Sequence, residues 1–247
     1  MDFSCGTSAG TLPGVIILNG NTSGNVAFKV AGNTSTLLRK ALVENGKLYT
    51  YLTGSAQFKL ETRSSNFADT QGHWAKSSID FTVARELFQG TSATTFDPAG
   101  TMTRSMLVTV LHRLEDTPAV SQSVTFADVE RNSWYTAAVA WANANGIVQG
   151  TGTGFQPNGP IPREQLATIL YRYVGTLGRS TAGRGTLATF SDQGKVSSWA
   201  KEAMEWAVGQ GLINGKSGGL LDPGGNASRA EVSAILERLI RSMVPVA

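Results

Sequence analysis

The chain has 247 residues, 41% of them apolar and 16% charged, with 28 glycines and a formal net charge of +3. That balance supports a packed core and excludes a disordered chain, and the mild positive charge, with no Lys/Arg-rich run, argues against nucleic acid as a partner. Cys5 is the sole cysteine, so no internal disulfide forms, and no apolar run approaches the roughly 18 residues that span a membrane as a helix.

Met1 to Gly6 has neither a charged n-region nor an apolar h-region, and Val15–Leu18 is too short for a signal-peptide core. An exported protein of this kind would carry its export signal elsewhere. Residues 1–65 hold short apolar runs at Val15–Leu18, Val26–Val30, Leu48–Leu52 and Gln57–Leu60. Gly20-Asn21, Gly32-Asn33 and Asn45-Gly46 bracket them. This predicts β-strands and turns, with a hairpin on Asn45-Gly46; Leu37–Leu42 also fits a short helix. The segment reads as the β-rich tail of an extracellular domain whose remaining strands lie outside it, which would expose an edge.

From residue 66 onward one frame occurs three times. It opens with Phe-x-Asp, at Phe67/Asp69, Phe126/Asp128 and Phe190/Asp192, and a tryptophan follows at Trp74, Trp134 and Trp199. Sixteen residues after each tryptophan stands a glycine: Gly90, Gly150 and Gly215. Then come a large apolar residue and a proline (Phe96/Pro98, Phe155/Pro157, Leu221/Pro223), an arginine (Arg104, Arg163, Arg229) and a second arginine (Arg113, Arg172, Arg238). Only the connections vary in length, the Phe-to-Trp gap being 7, 8 and 9. Fixed lengths in helices and variable lengths in loops mark a repeated helical unit.

Each unit predicts two helices. The tryptophan starts the first, which buries Ile79, Val139 or Met204 and ends near Gly146 or Gly211, glycines suited to a left-handed C-terminal residue. Repeat 1 has Glu86 there and must end its helix differently. The second helix starts at the arginine. Its apolar stripe is Leu107, Val110, Leu111 and Leu114 in repeat 1, Leu166, Ile169, Leu170 and Tyr173 in repeat 2, and Val232, Ile235, Leu236 and Leu239 in repeat 3. Thr103 can cap repeat 1, Ser228 with Glu231 can form a capping box, and Pro162 suits a first turn. One helix pair buries its apolar face poorly alone; three together can do so as a solenoid or a closed three-fold bundle.

Gly146-Ile147-Val148-Gln149-Gly150, Thr94-Thr95-Phe96-Asp97-Pro98 and Ser228-Arg229-Ala230-Glu231, in this order and in triplicate, resemble the S-layer homology (SLH) family. The resemblance covers roughly residues 66–240. It implies a mainly α fold, with three helix-loop-helix repeats in a pseudo-three-fold bundle after a small β-rich segment. The divisions are 1–65, 66–116, 125–175 and 189–241. It also implies a secreted, non-catalytic module at the bacterial cell wall or S-layer that binds an anionic secondary cell-wall polysaccharide, pyruvylated, in clefts between repeats. Arg104, Arg163 and Arg229 map onto the family's carboxylate-recognition arginine. Repeats 1 and 2 depart from the family's Thr-Arg-Ala-Glu element, reading Thr103-Arg104-Ser105-Met106 and Pro162-Arg163-Glu164-Gln165.

The residues themselves are compatible with that mapping. A helix N-terminus offers free backbone N–H groups, and a guanidinium beside it can bind a carboxylate bidentately. Asp69, Asp128 and Asp192 are either ligand contacts for sugar hydroxyls or plain caps and turn formers. Gly90, Gly150 and Gly215 would let backbone approach the ligand closely. Trp74, Trp134 and Trp199, in frame with helix starts, are read as core packing ahead of the alternative that an exposed Trp or Tyr face stacks on a sugar ring, and Trp141 and Trp206 as core or interface packing. Arg113, Arg172 and Arg238 sit late in the second helix, where a cation suits the dipole, and are read as structural. His73 and His112 are isolated and build no recognisable metal site; no cofactor is implied. Residues 115–125 and 174–189 read as linkers. No nucleophile elbow, HExxH or phosphate loop occurs, and the acids follow the repeat frame, not one site. The competing reading is a helical protein-interaction scaffold, which would present an exposed apolar groove.

Overall fold

The computed structural model describes residues 2–3, 12–17, 23–52, 56–121, 126–152 and 154–244. Cys5, Leu18 and the Gly20-Asn21 turn lie outside these described residues. The chain divides into two compact units, one of residues 1–97 with 236–247 and one of residues 98–235.

In the first unit, seven strands form two antiparallel sheets among the described residues. The strands are β1 (Asp2–Phe3), β2 (Leu12–Ile17), β3 (Val26–Ala31), β4 (Thr34–Leu37), β5 (Leu42–Glu44), β6 (Lys47–Leu52) and β7 (Ala56–Glu61). The sheet orders are β1-β7-β3-β4 and β2-β6-β5. Asn45 and Gly46 adopt φ of 51° and 70°, so the predicted hairpin turns with both central residues left-handed and pairs Glu44 with Lys47. Leu37–Leu42 is not helical: Leu37 closes β4 and Leu42 opens β5, because Leu37 pairs with Phe28 across the sheet and is buried there.

Within this unit the β-rich part packs on the first helix of repeat 1 and on the C-terminal residues. Val26, Phe28 and Leu37 share a buried cluster with Ala84 of α1 (Lys76–Ala84). The buried Arg85 guanidinium donates to the Ala41 carbonyl at 2.9 Å and stacks 3.5 Å over the Phe81 ring. The Tyr51 hydroxyl donates to the Met243 carbonyl at 2.6 Å, and Arg241 pairs with Glu44.

The remaining helices are α2 (Arg104–Leu114), α3 (Thr136–Ala144), α4 (Arg163–Thr176), α5 (Lys201–Gly209) and α6 (Arg229–Met243), the last residues of α6 belonging to the first unit. α1, α3 and α5 each begin two residues after a repeat tryptophan. Every position of the predicted second-helix stripes is buried, from Leu107 to Leu239. Each such side chain withdrawn from water contributes about 1.5–3 kcal/mol before entropy is charged against it. α4 runs on to Thr176, so the linker predicted from residue 174 starts later; the buried Val174 keeps the helix going.

The helix ends follow local chemistry. Gly146 and Gly211 take φ of 69° and 66° just past α3 and α5. In repeat 1, Glu86 adopts the same left-handed conformation at φ 58°, and its carboxylate pairs with Arg39 at 2.9 Å and Arg63 at 2.8 Å. Thr103 accepts from Met106 N–H at 3.2 Å. Ser228 and Glu231 form the reciprocal capping box, at 2.8 and 3.2 Å.

Within residues 98–235 the second helices cap one another in a cycle. Arg104 and Ser105 N–H donate to Gly159 and Pro157 carbonyls of the next repeat, both at 3.0 Å. Arg163 and Glu164 donate to Gly225 and Pro223, and Arg229 and Ala230 donate to Gly100 and Pro98, at 2.9 and 3.0 Å in each case. Just before the helices, Met102 donates to Ala227, Ala227 to Ile161 and Ile161 to Met102. The donors that a helix start leaves without partners are therefore filled by neighbouring repeats.

Candidate functional site

The Phe-x-Asp element holds one tight loop. The Asp128 carboxylate accepts the N–H groups of Phe155 at 2.8 Å and Gln156 at 2.7 Å. Asp192 accepts from Leu221 and Asp222, both at 2.8 Å, and Asp69 from Phe96 and Asp97 at 2.9 and 2.7 Å. The second donor in each pair is a non-glycine residue at positive φ: Asp97 at 60°, Gln156 at 58° and Asp222 at 53°. The carboxylate thus secures a backbone conformation that costs energy for any side chain. Burial alone would push the Asp128 and Asp192 carboxyls up. The N–H donors, with Arg104 beside Asp128 and Lys195 beside Asp192, outweigh it and hold both below the ordinary range.

The repeat glycines meet the phenylalanine of the same element. A Cβ on Gly90 would sit 2.5 Å from the Phe67 ring and 2.4 Å from the Ser92 carbonyl oxygen. On Gly215 it would sit 2.6 Å from the Phe190 ring, and on Gly150 3.0 Å from the Phe126 ring. Internal packing leaves no room for a side chain at Gly90 or Gly215, and at Gly150 the space is tight.

The three arginines are deeply buried: Arg104, Arg163 and Arg229 are 5%, 4% and 8% exposed. Arg104 reaches into repeat 2. Its Nε donates to the Phe155 carbonyl at 2.7 Å, one terminal nitrogen to Gln165 Oε1 at 2.8 Å and the other to the Gln149 carbonyl at 3.2 Å. Arg163 repeats the pattern into repeat 3, donating to the Leu221 carbonyl at 3.0 Å and to Glu231 at 3.2 Å. Burial lowers the affinity of both guanidiniums for their proton. Asp128 opposes this at Arg104, and Glu231, Asp222 and Asp192 oppose it at Arg163.

A cavity of about 280 Å³ opens beside Arg104, lined also by Gln149, Gly150, Gln165, Arg172 and the Trp199 indole. Its lining has two arginines and, among the described residues, no Asp or Glu. The Arg172 side chain makes no hydrogen bond or ion pair among the described residues, and Trp199 is 56% exposed. Trp134 lines a second cavity of about 1030 Å³ with Arg113, and Trp74 a third of about 610 Å³ among Lys76, Asp80 and Glu237.

The family model of the S-layer homology domain matches residues 66–105, 125–167 and 189–233. The chain belongs to the S-layer homology family. SLH repeats are wall-anchoring modules of cell-surface proteins. An amylopullulanase of Thermoanaerobacterium thermosulfurigenes is 30% identical over 81% of this chain and 11% of its own length. Exoglucanase XynX of Acetivibrio thermocellus is 31% identical over 76% of this chain and 17% of its own. The S-layer protein sap of Bacillus anthracis is 29% identical over 67% of this chain and 20% of its own. The chain thus spans a fifth or less of the length of these relatives.

Of the predicted site residues, the SLH cavity beside Arg104 gathers Arg104 and Gly150. Asp128 does not line it; its carboxylate holds the Phe155–Gln156 loop, whose Phe155 carbonyl Arg104 also binds. Two expectations are corrected. The second-helix N–H groups of Arg104, Arg163 and Arg229 are not free for a ligand, since neighbouring carbonyls take them. Trp74, Trp134 and Trp199 are not core residues: they are 65%, 60% and 56% exposed, because each lies in the turn ahead of its helix and not on the buried stripe. Trp141 and Trp206 carry the core role instead. Gln149, Gln165 and Arg172 were not singled out for binding, and Trp199 entered only through the lesser reading of an exposed face that stacks on a sugar. Arg172 did carry a signal, its recurrence in frame, but a cation near a helix end has an ordinary structural reading.

Proposed function

We propose that this chain is a non-catalytic anchor that binds an anionic, pyruvylated secondary cell-wall polysaccharide in clefts between its SLH repeats. The repeats, 66–116, 125–175 and 189–241, form a pseudo-three-fold bundle, a reading supported by the cyclic exchange of backbone hydrogen bonds among them. The observation that carries the binding proposal is the cavity where two arginines face an exposed indole with no acid in the lining. Guanidiniums take a ketal carboxylate in a forked pair, and the indole face stacks on a sugar ring. Arg104, Arg163 and Arg229 supply the buried cationic ends of the clefts, and Asp69, Asp128, Asp192 and the glycines Gly90, Gly150 and Gly215 hold the loops that edge them. Residues 1–65 are a β-rich portion of a secreted surface protein.

A protein-interaction scaffold would present a contiguous apolar groove. Among the described residues the exposed large hydrophobics are the three tryptophans and Leu220, and each tryptophan lines a different cavity. The test is co-sedimentation of the full chain with wall sacculi that are intact, freed of secondary polymer, or freed of pyruvate ketals by mild acid. Binding to intact sacculi alone supports the proposal. Equal binding to polymer-free sacculi refutes it and makes peptidoglycan or protein the target.

A further inference from the structure

The two buried arginines whose partners are described sit in matching places but in different electrostatic surroundings. Around Arg163, Glu231 accepts at 3.2 Å, and Lys216 pairs with Asp222 at 2.7 Å and with Glu231 at 3.4 Å. The corresponding positions one repeat earlier are neutral. Gln165 stands where repeat 3 has Glu231, Gln156 where it has Asp222, and Thr151 where it has Lys216. Arg104 therefore hydrogen-bonds a glutamine amide at 2.8 Å where Arg163 meets a carboxylate. At these three positions repeat 3 carries Lys216, Asp222 and Glu231, two of them acids that pair around Arg163, whereas repeat 2 carries Thr151, Gln156 and Gln165, none of them charged. Asp128 is common to the frame, as Asp192 is at Arg163, and its oxygens are engaged by the loop N–H groups.

We propose that residue 165, two positions after the arginine, sets the charge selectivity of the clefts: Gln165 leaves the Arg104–Arg172 cleft open to an acidic sugar, and Glu231 occupies Arg163 in its place. An internal carboxylate already hydrogen-bonded to a buried guanidinium competes with any incoming anion, and the incoming group must also shed its water. A glutamine satisfies the guanidinium's hydrogen bond without cancelling its charge. The cavity is of a size for one saccharide unit, with Trp199 as its apolar wall and Arg104 and the half-buried Arg172 as the charged side chains of its lining. The anion can be a ketal carboxylate or a phosphate on the sugar, since both match the fork of a guanidinium.

This inference rests on the anchoring reading above, and the experiment separates the two. Full-length wild type, Gln165→Glu, Arg172→Gln and Glu231→Gln are titrated against intact, ketal-free and polymer-free sacculi, with thermal melts of each protein. Gln165→Glu reproduces the Arg163–Glu231 pair, so it keeps its melting temperature and loses at least ten-fold in affinity for intact sacculi. Arg172→Gln, a change in a half-buried side chain, also loses affinity with its fold intact. Glu231→Gln binds at least as well as wild type. Sensitivity to Gln165→Glu that persists on ketal-free sacculi assigns the anion to phosphate. If wild type discriminates intact from polymer-free sacculi while Gln165→Glu and Arg172→Gln bind within two-fold of it, the charge-selectivity inference is overturned and the anchor stands. If wild type does not discriminate, the anchoring reading falls and the inference with it.

Discussion

Alanine at the three repeat glycines gives three different outcomes if packing against the Phe-x-Asp ring is what requires glycine. At Gly90 the new methyl group meets the Ser92 oxygen at 2.4 Å, the Phe67 ring at 2.5 Å and the Thr95 oxygen at 2.8 Å. Two of these are backbone atoms and cannot turn aside, so the cost lies near the top of the overpacking range, about 3 kcal/mol. Gly215 combines φ of 80° with a ring contact at 2.6 Å, and left-handed backbone alone costs an alanine about 1–2 kcal/mol. At Gly150 the nearest atoms are at 3.0 and 3.1 Å and φ is unstrained, so small shifts suffice and the cost stays under about 1 kcal/mol. In a chain of this size each kcal/mol lowers the melting temperature by about 2–4 °C, so Gly90→Ala loses about 6–12 °C and Gly150→Ala no more than about 4 °C. Calorimetry supplies the order, and sacculus sedimentation of each folded variant supplies the comparison with binding. A Gly150→Ala protein that melts as early as Gly90→Ala refutes the packing argument. So do three variants that melt like wild type yet lose the wall, an outcome that would assign the glycines to close approach by ligand.

Removing the loop clamps is costly in proportion to burial: Asp192→Ala, at a buried carboxylate, loses about 2–3 kcal/mol and the exposed Asp128→Ala about 1–2 kcal/mol, measured by denaturant titration. Because both carboxyls are held below the ordinary range when folded, their stabilisation is complete above the ordinary carboxylate pKa and fades as pH falls through the lower folded value. Melting temperature should therefore drop below about pH 4, less steeply in Asp192→Asn than in wild type; an equal slope would exclude this carboxylate as a contributor. Trp199→Ala should leave the melting temperature within about 2 °C and weaken wall binding about ten-fold, the scale of one lost aromatic stack. Thr103→Ala removes the cap on α2 and should cost about 1 kcal/mol without altering binding per folded molecule.

Much of the helical scaffold was legible because it depends on local rules. A stripe such as Leu107, Val110, Leu111 and Leu114 states a buried face by spacing alone, and Gly146, the Ser228–Glu231 box and Asn45-Gly46 each state a backbone conformation. The errors came where local chemistry is ambiguous. A tryptophan that recurs at a helix start looks like core, yet its place two residues ahead of the helix turns the indole outward. Leu37–Leu42 has helical composition, but pairing of Leu37 with Phe28, a contact across the sheet, decides it. The docking of the β-rich part on α1 through Arg85 is likewise long-range and leaves no periodic trace. For the site, the arginine frame was visible and its surroundings were not. That Arg104 meets Gln165 while Arg163 meets Glu231 requires knowing which repeat faces which.

The circular hand-over of backbone caps constrains how such a module can change in length. In a linear stack the terminal repeat is expendable, because its loss uncovers one face only. Here every repeat is both giver and receiver. Deleting the segment around Arg163 would strand the Arg104 and Ser105 N–H groups and, on the other side, the Pro223 and Gly225 carbonyls. No member is terminal in this exchange, so removing any one repeat is expected to uncap the second helix of one neighbour and to strand the carbonyls of the other.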